Sequence, residues 1–165
     1  MKKRPAQRGF TLVEMMVSSS IASIALMSSA PFLSDWTYSR QTKDANSKVL
    51  SAYRLAKALA LRNPEGVGVT AAAAGVKLVT GSQLRVLYVC KGDPATAACG
   101  NGGANVLWSA DFPAVVTMTL GGASVAGSSP VTLALNNRGA PTTGTVLRYT
   151  LSRGGSASAI SSALL

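Results

Sequence analysis

The feature of this sequence that most constrains its fold is a long apolar segment, from Phe10 to Leu33, that follows directly on a short basic leader. As a helix with a rise of 1.5 Å per residue, it would be about 36 Å long, which is enough to cross a bilayer. The leader contains Lys2, Lys3, Arg4 and Arg8 and no acid, and this charge favours its retention in the cytoplasm. The sequence therefore predicts a membrane helix with the rest of the chain outside the cytoplasm.

The apolar segment contains one acid, Glu14, and no Lys or Arg. A lone carboxylate in hydrocarbon costs on the order of 3 kcal/mol, so it indicates a partner or a function. Cleavage after Gly9 would retain the helix and create a positive amine on Phe10, one turn from Glu14 of the same chain or of a neighbour. In the alternative interpretation, Glu14 lies at the membrane edge and its carboxylate reaches water.

Residues 8–14, Arg-Gly-Phe-Thr-Leu-Val-Glu, resemble the processing and methylation site of type IV pilins and type II secretion pseudopilins. The resemblance implies that a prepilin peptidase cuts between Gly9 and Phe10 and that Phe10 is then N-methylated. It also implies that Glu14 neutralises the amino terminus of an adjacent subunit in a filament. Pro31 lies where many members of the family have a proline that kinks the helix.

Beyond Pro31, apolar residues recur at steps of three and four, which predicts an amphipathic helix with one core-facing side. These residues are Val49, Leu50, Tyr53, Ala56, Leu59 and Ala60. The helix is expected to end at Asn63-Pro64, and if Pro31 only kinks it, residues 10–62 would form one helix of roughly 80 Å. The run at 50–63 resembles the helix of GspH/FimT-type minor pilins.

After Val67, short β-type runs alternate with turn residues, which predicts an antiparallel β domain. The runs are Val76–Val79, Leu84–Val89, Val106–Ser109, Val115–Leu120, Val131–Leu135 and Val146–Leu151. Alternation in the second and the last run predicts one buried and one wet face. The tail from Gly154 is either a flexible end or a weak final strand. The expected fold is α+β and pilin-like, with a leader (1–9), a membrane helix (10–33), an amphipathic half (34–63) and a periplasmic β domain (64–165).

Cys90 and Cys99 flank a turn-rich loop in a chain whose expected topology points to an oxidising compartment. This arrangement predicts a disulfide, which would stabilise the fold by roughly 2 to 3 kcal/mol. The alternative, a metal or redox pair, lacks the histidine or second cysteine pair that would complete a zinc site.

Catalysis finds little support in the sequence. The chain has no histidine, which excludes Ser-His and Cys-His nucleophiles, and no Gly-Lys-Ser/Thr phosphate loop is present. Asp93 and Asp111 lie beside or near prolines, where turn formation explains them. We therefore expect a non-enzymatic protein without cofactor or metal. An exported enzyme that uses Ser and Lys remains the alternative from another functional class.

The chain is strongly basic, with a formal net charge of +10, and the excess persists without the leader. Arg138, Arg148 and Arg153 follow the last acid, Asp111, so the final third of the sequence could attract a DNA backbone. FimT-like DNA receptors carry a Gly-Arg-x-Arg element near the carboxyl end. In this chain Arg153 corresponds to one arginine of that element, and the second arginine is missing. The alternatives are three solvated arginines, anionic lipid, or an acidic partner subunit.

Together, these features predict a minor pilin or pseudopilin, held in the bacterial inner membrane by a single span with its carboxyl-terminal domain in the periplasm. It would join a type IV pilus or a type II secretion pseudopilus and support filament initiation and protein secretion, or adhesion and motility. The implied partners are other pilins or pseudopilins, the prepilin peptidase and the inner-membrane assembly platform. The alternatives are a pilus-tip DNA receptor for natural transformation and a monomeric anchored binding domain.

Overall fold

The computed structural model describes residues 9–81, 83–120, 123–124, 130–143, 147–153 and 160–164, with the backbone alone at 28–35, 119–120, 123–124, 147, 153 and 162–164. The leader residues 1–8 and the start of the tail at 154–159 lie outside the described residues. So do residues 121–122 and 126–129, where the sequences Gly-Gly and Ala-Gly-Ser-Ser predict loops. The chain divides into two compact units, Met1–Thr37 and Tyr38–Leu165.

One helix, α1, extends over Leu12–Arg62 and comprises 51 residues. It continues past position 31, although an interior proline removes one backbone hydrogen bond. The amphipathic segment expected to continue the apolar one is therefore confirmed as part of the same helix. The kink assigned to Pro31 stays a prediction.

The helix ends where the sequence predicted, immediately before Asn63-Pro64. Asn63 has a φ of 45°, the left-handed conformation that commonly closes helices and that Asn tolerates better than most residues. Its side chain holds the turn, because Nδ2 donates to the Val67 carbonyl and Oδ1 accepts from the Val67 N–H, each at 2.9 Å. Pro64 cannot continue the helix.

Eight strands follow in the part of the chain that the structure describes, and all their pairings are antiparallel. They are β1 (Ala74–Thr80), β2 (Leu84–Lys91), β3 (Val106–Pro113), β4 (Val116–Leu120), β5 (Ala123–Ser124), β6 (Val131–Leu135), β7 (Leu147–Arg153) and β8 (Ile160–Leu164). The six predicted runs form strands, except that Val115 precedes β4 and Val146 lies outside the described residues. β5 was not predicted, and β8 was one of two alternatives for the tail. The strands form two sheets rather than one, ordered β3-β2-β1-β6 and β5-β4-β7-β8.

The core lies between the second half of α1 and the two sheets, which confirms the predicted core-facing stripe. On α1, the fully or nearly fully buried side chains are Ala45, Val49, Ala52, Tyr53, Ala56 and Ala60. The sheets contribute Leu78, Leu87 and Phe112 from the first and Met118 and Leu151 from the second. Four of the six helix positions are alanine, so the helix backbone approaches the sheets closely.

Two polar contacts also join α1 to the sheets. Lys48 Nζ donates to the Asp111 carbonyl at 2.9 Å, and the Tyr149 hydroxyl donates to Asn46 Oδ1. Tyr149 is almost completely buried, and a buried phenol hydroxyl normally needs such a partner.

The predicted alternation is confirmed in β7 and wrong in β2. In β7, Arg148 is exposed while Tyr149 and Leu151 are buried. In β2, every residue from Leu87 to Cys90 is buried, because α1 covers one face and a separate cluster of Tyr88, Cys90 and Cys99 forms on the other. A strand covered on both faces does not alternate.

Candidate functional site

The start of α1 is organised by a reciprocal pair, Thr11 and Glu14. The Glu14 N–H donates to Thr11 Oγ1 at 3.2 Å. In return, the Glu14 Oε2 atom accepts the Thr11 N–H at 3.2 Å and the Thr11 hydroxyl at 3.3 Å. This is a capping box, which satisfies backbone donors that a helix start leaves unpaired. The carboxylate of Glu14 therefore lies back over the helix start, on the side of Phe10.

Gly9 and Phe10 precede the helix, and both are exposed. A Cβ atom added at Gly9 would meet nothing within 4 Å, and Gly9 is not among the glycines with positive φ. The fold described here therefore gives no steric or conformational reason for a glycine at this position.

The first part of α1 presents large apolar side chains to the surroundings on all sides. Each has more than half of its surface exposed, from 53% at Val17 to 81% at Met27. The group comprises Phe10, Leu12, Val13, Met15, Met16, Val17, Ile21, Ile24, Leu26 and Met27. Exposed apolar surface of this extent marks a site of protein or membrane interaction. In the described part of the chain, no helix reaches the length and apolar character required of a membrane span.

Serines interrupt the apolar surface of α1, but their hydroxyls are bonded within the helix. Ser19 and Ser20 donate to the Met16 carbonyl at 2.9 and 2.8 Å, and Ser23 donates to the Ser19 carbonyl at 2.8 Å. Such bonds to the preceding turn satisfy the hydroxyl donor. A polar group that leaves water without a hydrogen-bond partner is costly. Because these hydroxyls already have partners, moving this surface out of water costs less free energy.

The structure pairs Cys90 with Cys99, as predicted, with their Cα atoms 5.7 Å apart. Inside the loop, Asp93 Oδ1 accepts the Ala95 N–H at 2.9 Å, which supports the interpretation of Asp93 as a turn residue. The loop packs on β1 at Gly75, where a Cβ atom would overlap Pro94. Glycine at this position lets the disulfide loop lie directly on the sheet.

The three arginines considered for DNA binding come from different parts of the fold. Arg138 is exposed in the turn after β6, at an edge of the first sheet. Arg148 is exposed on β7, inside the second sheet. Arg153 ends β7, where its backbone pairs with Val116, and its side chain lies outside the described atoms. The turn at Arg138 packs on α1, since a Cβ at Gly139 would lie 3.0 Å from Lys57 Cγ.

Sequence reasoning missed two features of this chain. The first is the capping box, although the spacing Thr-x-x-Glu before an apolar run is its sequence signature. The second is Arg85, which is 5% exposed in a strand expected to have a wet face. No local pattern marked Arg85, because its burial depends on how α1 covers the sheet.

Comparison with known proteins adds one finding. Residues 4–30 match the family model described as the prokaryotic N-terminal methylation motif. No curated protein and no solved structure matches the chain significantly. The motif points to a structural subunit that is anchored in a membrane, processed by a prepilin peptidase and assembled with other pilins. At its amino terminus, the chain therefore carries the signature of type IV pilins and pseudopilins.

Proposed function

We propose that this protein is a minor pilin or pseudopilin of the GspH/FimT type that is cut between Gly9 and Phe10 and assembled into a filament through Glu14. The observation that carries the proposal is the position of the Glu14 carboxylate. It accepts the Thr11 N–H at 3.2 Å, and the next backbone nitrogen toward the leader is that of Phe10. Cleavage would turn that amide nitrogen into a cationic amine close to an anion already in place.

The exposed apolar surface of the first part of α1 supports the same proposal. Before assembly, this surface would lie in the inner membrane, with the leader in the cytoplasm and the β domain in the periplasm. In the filament, the same side chains would pack against the helices of neighbouring subunits. Small residues such as Ser20 and Ala22 would permit the close approach of helices that is common in membranes.

Glu14 would then hold the register between subunits. Within a packed helical bundle, the carboxylate is far from water, so it is stable only beside a cation. The described first unit, through Thr37, contains no Lys or Arg, so the amine of Phe10 is the cation nearest in sequence. A neighbouring subunit shifted by one register step would present its own Phe10 amine to Glu14. Filament assembly would therefore depend on prior cleavage.

The decisive experiment maps the mature amino terminus. The full chain is expressed with a prepilin peptidase, and mass spectrometry is expected to find a mature protein that begins with N-methylated Phe10. Replacement of Gly9 by Val should abolish cleavage, while the fold is unaffected because the site is open. Gly68→Val is the matched control, since Gly68 is equally unobstructed. A mature chain that begins at any other residue contradicts the proposal.

The role as a pilus-tip DNA receptor is the second candidate, and the position of Arg138 favours it. Arg138 is exposed, and its turn packs against Lys57 of α1, which brings cations of two elements to one surface. The salt dependence of DNA binding is the slope of the logarithm of the binding constant against the logarithm of the salt concentration. Each phosphate contact that is lost should reduce the size of this slope by about one unit. Arg138→Ala should thus weaken binding across all sequences, with Arg40→Ala as a charge-matched control. Equal salt dependence in both variants contradicts this role.

A further inference from the structure

A buried arginine on β2 has no compensating charge in the described structure. Arg85 is 5% exposed and lies between Thr80 of β1 and Phe112 of β3 in the register of the first sheet. Side chains two positions apart in a strand share a face, so Arg85 shares the face of Leu87 and Val89, which α1 covers. A cation in this position is unusual, because Arg is rarely buried without a partner.

The guanidinium and its neighbour are short of hydrogen-bond partners. Two of its nitrogens, Nε and Nη1, are fully buried and have no partner among the described residues. Directly across the strand pair, Thr80 Oγ1 is also buried without a partner. Three unsatisfied polar atoms thus lie on one cross-strand pair. Unpaired buried polar groups are costly. Because no described residue satisfies these three atoms, the pair is suited to contact a further acceptor group.

The missing group must be an acceptor and should carry negative charge. The two ion pairs among the described residues join Lys48 to Asp44 and Lys91 to Glu65, so neither includes Arg85. Burial lowers the pKa of the Arg85 guanidinium from its ordinary value, but arginine remains cationic at neutral pH. A guanidinium with free N–H donors beside a free hydroxyl matches the acceptor geometry of a carboxylate or a phosphate.

We propose that Arg85 and Thr80 form a binding site for a single oxyanion, either a carboxylate or a phosphate group. The Arg85 Nε–H and Nη1–H groups donate to its oxygens, and the Thr80 hydroxyl donates a further hydrogen bond. The site lies at the end of β1 and β2, next to the hairpin at Gly81 and Gln83. It is separate from Glu14 and does not depend on the proposed assembly function.

The test uses the full-length chain in detergent micelles, with acetate as the probe for a carboxylate and inorganic phosphate as the probe for a phosphate. Unfolding midpoints are measured at constant ionic strength as sodium chloride is replaced by either salt. A ligand that binds only the folded chain raises the unfolding midpoint as the ligand concentration increases. The rise is about 3 °C when the ligand concentration is ten times the dissociation constant. We expect this rise for at least one probe, and the probe that produces it identifies the oxyanion.

Arg85→Met should remove the rise, whereas Arg54→Met, which loses the same charge at an exposed position of α1, should retain it. Thr80→Val should reduce the rise while the guanidinium remains. If Arg85→Met does not fold, the Nε–H resonance of Arg85 in the wild-type chain is followed by NMR during the titration and should shift with the probe. Equal midpoints in chloride and in both oxyanions, or an Arg85→Met chain that responds like the wild type, would overturn the proposal.

Discussion

The two halves of α1 have similar apolar content and opposite environments. Between Phe10 and Met27, every large apolar side chain has more than half of its surface exposed. Between Ala45 and Ala60, the apolar side chains of one face are buried against the sheets. Within the second unit, the β domain buries the side of α1 whose apolar residues form a single stripe. The large apolar side chains of the first unit are exposed, so they are available to other molecules.

Residue size separates the halves as clearly as burial does. The buried side of the second half is dominated by alanine, including Ala45, Ala52 and Ala56, each at most 1% exposed. The exposed first half carries Met, Leu, Ile and Val instead. Small residues let the helix lie close to a rigid sheet, whereas large flexible ones suit a fluid or changing environment.

The largest effect should come from removing the charge of Glu14 while keeping its cap. Glu14→Gln retains an acceptor for the Thr11 N–H, because Gln also serves in a capping box, but it cannot neutralise an amine. Filament incorporation, measured by immunoblotting of sheared filaments, should fall by more than about tenfold while leader cleavage continues. Glu65→Gln is the matched control in the second unit, where the acid pairs with Lys91 at the surface. Normal incorporation of Glu14→Gln would mean that the acid serves only as a cap.

The next effect concerns the disulfide, which belongs to the β domain alone. Replacing both Cys90 and Cys99 by Ser should lower the free energy of unfolding of the domain by about 2.5 kcal/mol, because the reduced chain regains loop entropy. Urea denaturation of the full chain in detergent measures the change. Hydrogen exchange in the first half of α1 should remain as in the wild type. Exchange that accelerates equally in both halves would show that they unfold as one unit.

A pair of identical substitutions tests the comparison of the two halves directly. Ala56→Leu inserts a large side chain between α1 and the sheets and should lower the free energy of unfolding by about 2 kcal/mol through overpacking. Ala22→Leu makes the same change at an exposed position and should leave the free energy of unfolding within about 0.5 kcal/mol of the wild type. Both are measured by urea denaturation. Similar losses in the two variants would mean that the first half is also packed.

The smallest effect should come from Thr11→Val, which removes the cap hydroxyl and keeps the charge of Glu14. Loss of such a cap costs about 1 kcal/mol at the helix start, so amides near Glu14 should exchange about fivefold faster. Hydrogen exchange resolved by NMR measures the change, and Thr37→Val in the same helix controls for the substitution itself. Unchanged protection at residues 12–15 would show that the capping box contributes nothing to the helix start.

The sequence predicted the features that depend on local patterns. The end of α1 at Asn63-Pro64 and the six strands follow from proline, from turn residues and from runs of β-branched residues. The Cys90–Cys99 bond follows from spacing and compartment. The core-facing stripe on α1 follows from its period of three to four residues.

The features that the sequence did not reveal depend on contacts between distant segments. The division of the strands into two sheets is set by pairing between β1 and β6 and between β4 and β7, which are distant in the chain. Arg85 is buried because α1 covers the face on which it lies, although an arginine in an alternating strand normally faces water. The disulfide loop covers the opposite face, so β2 loses the alternation that its sequence had suggested.

The capping box at Thr11 has a consequence for proteolysis. Because the helix begins at Leu12, the Gly9–Phe10 bond lies in a non-helical stretch before any cut is made. A peptidase needs an extended substrate in its cleft, and here it can bind one without unwinding a single helical turn. If the leader is removed there, as proposed, its removal would be independent of the stability of the helix, and sequence changes deeper in the helix would alter assembly without slowing cleavage.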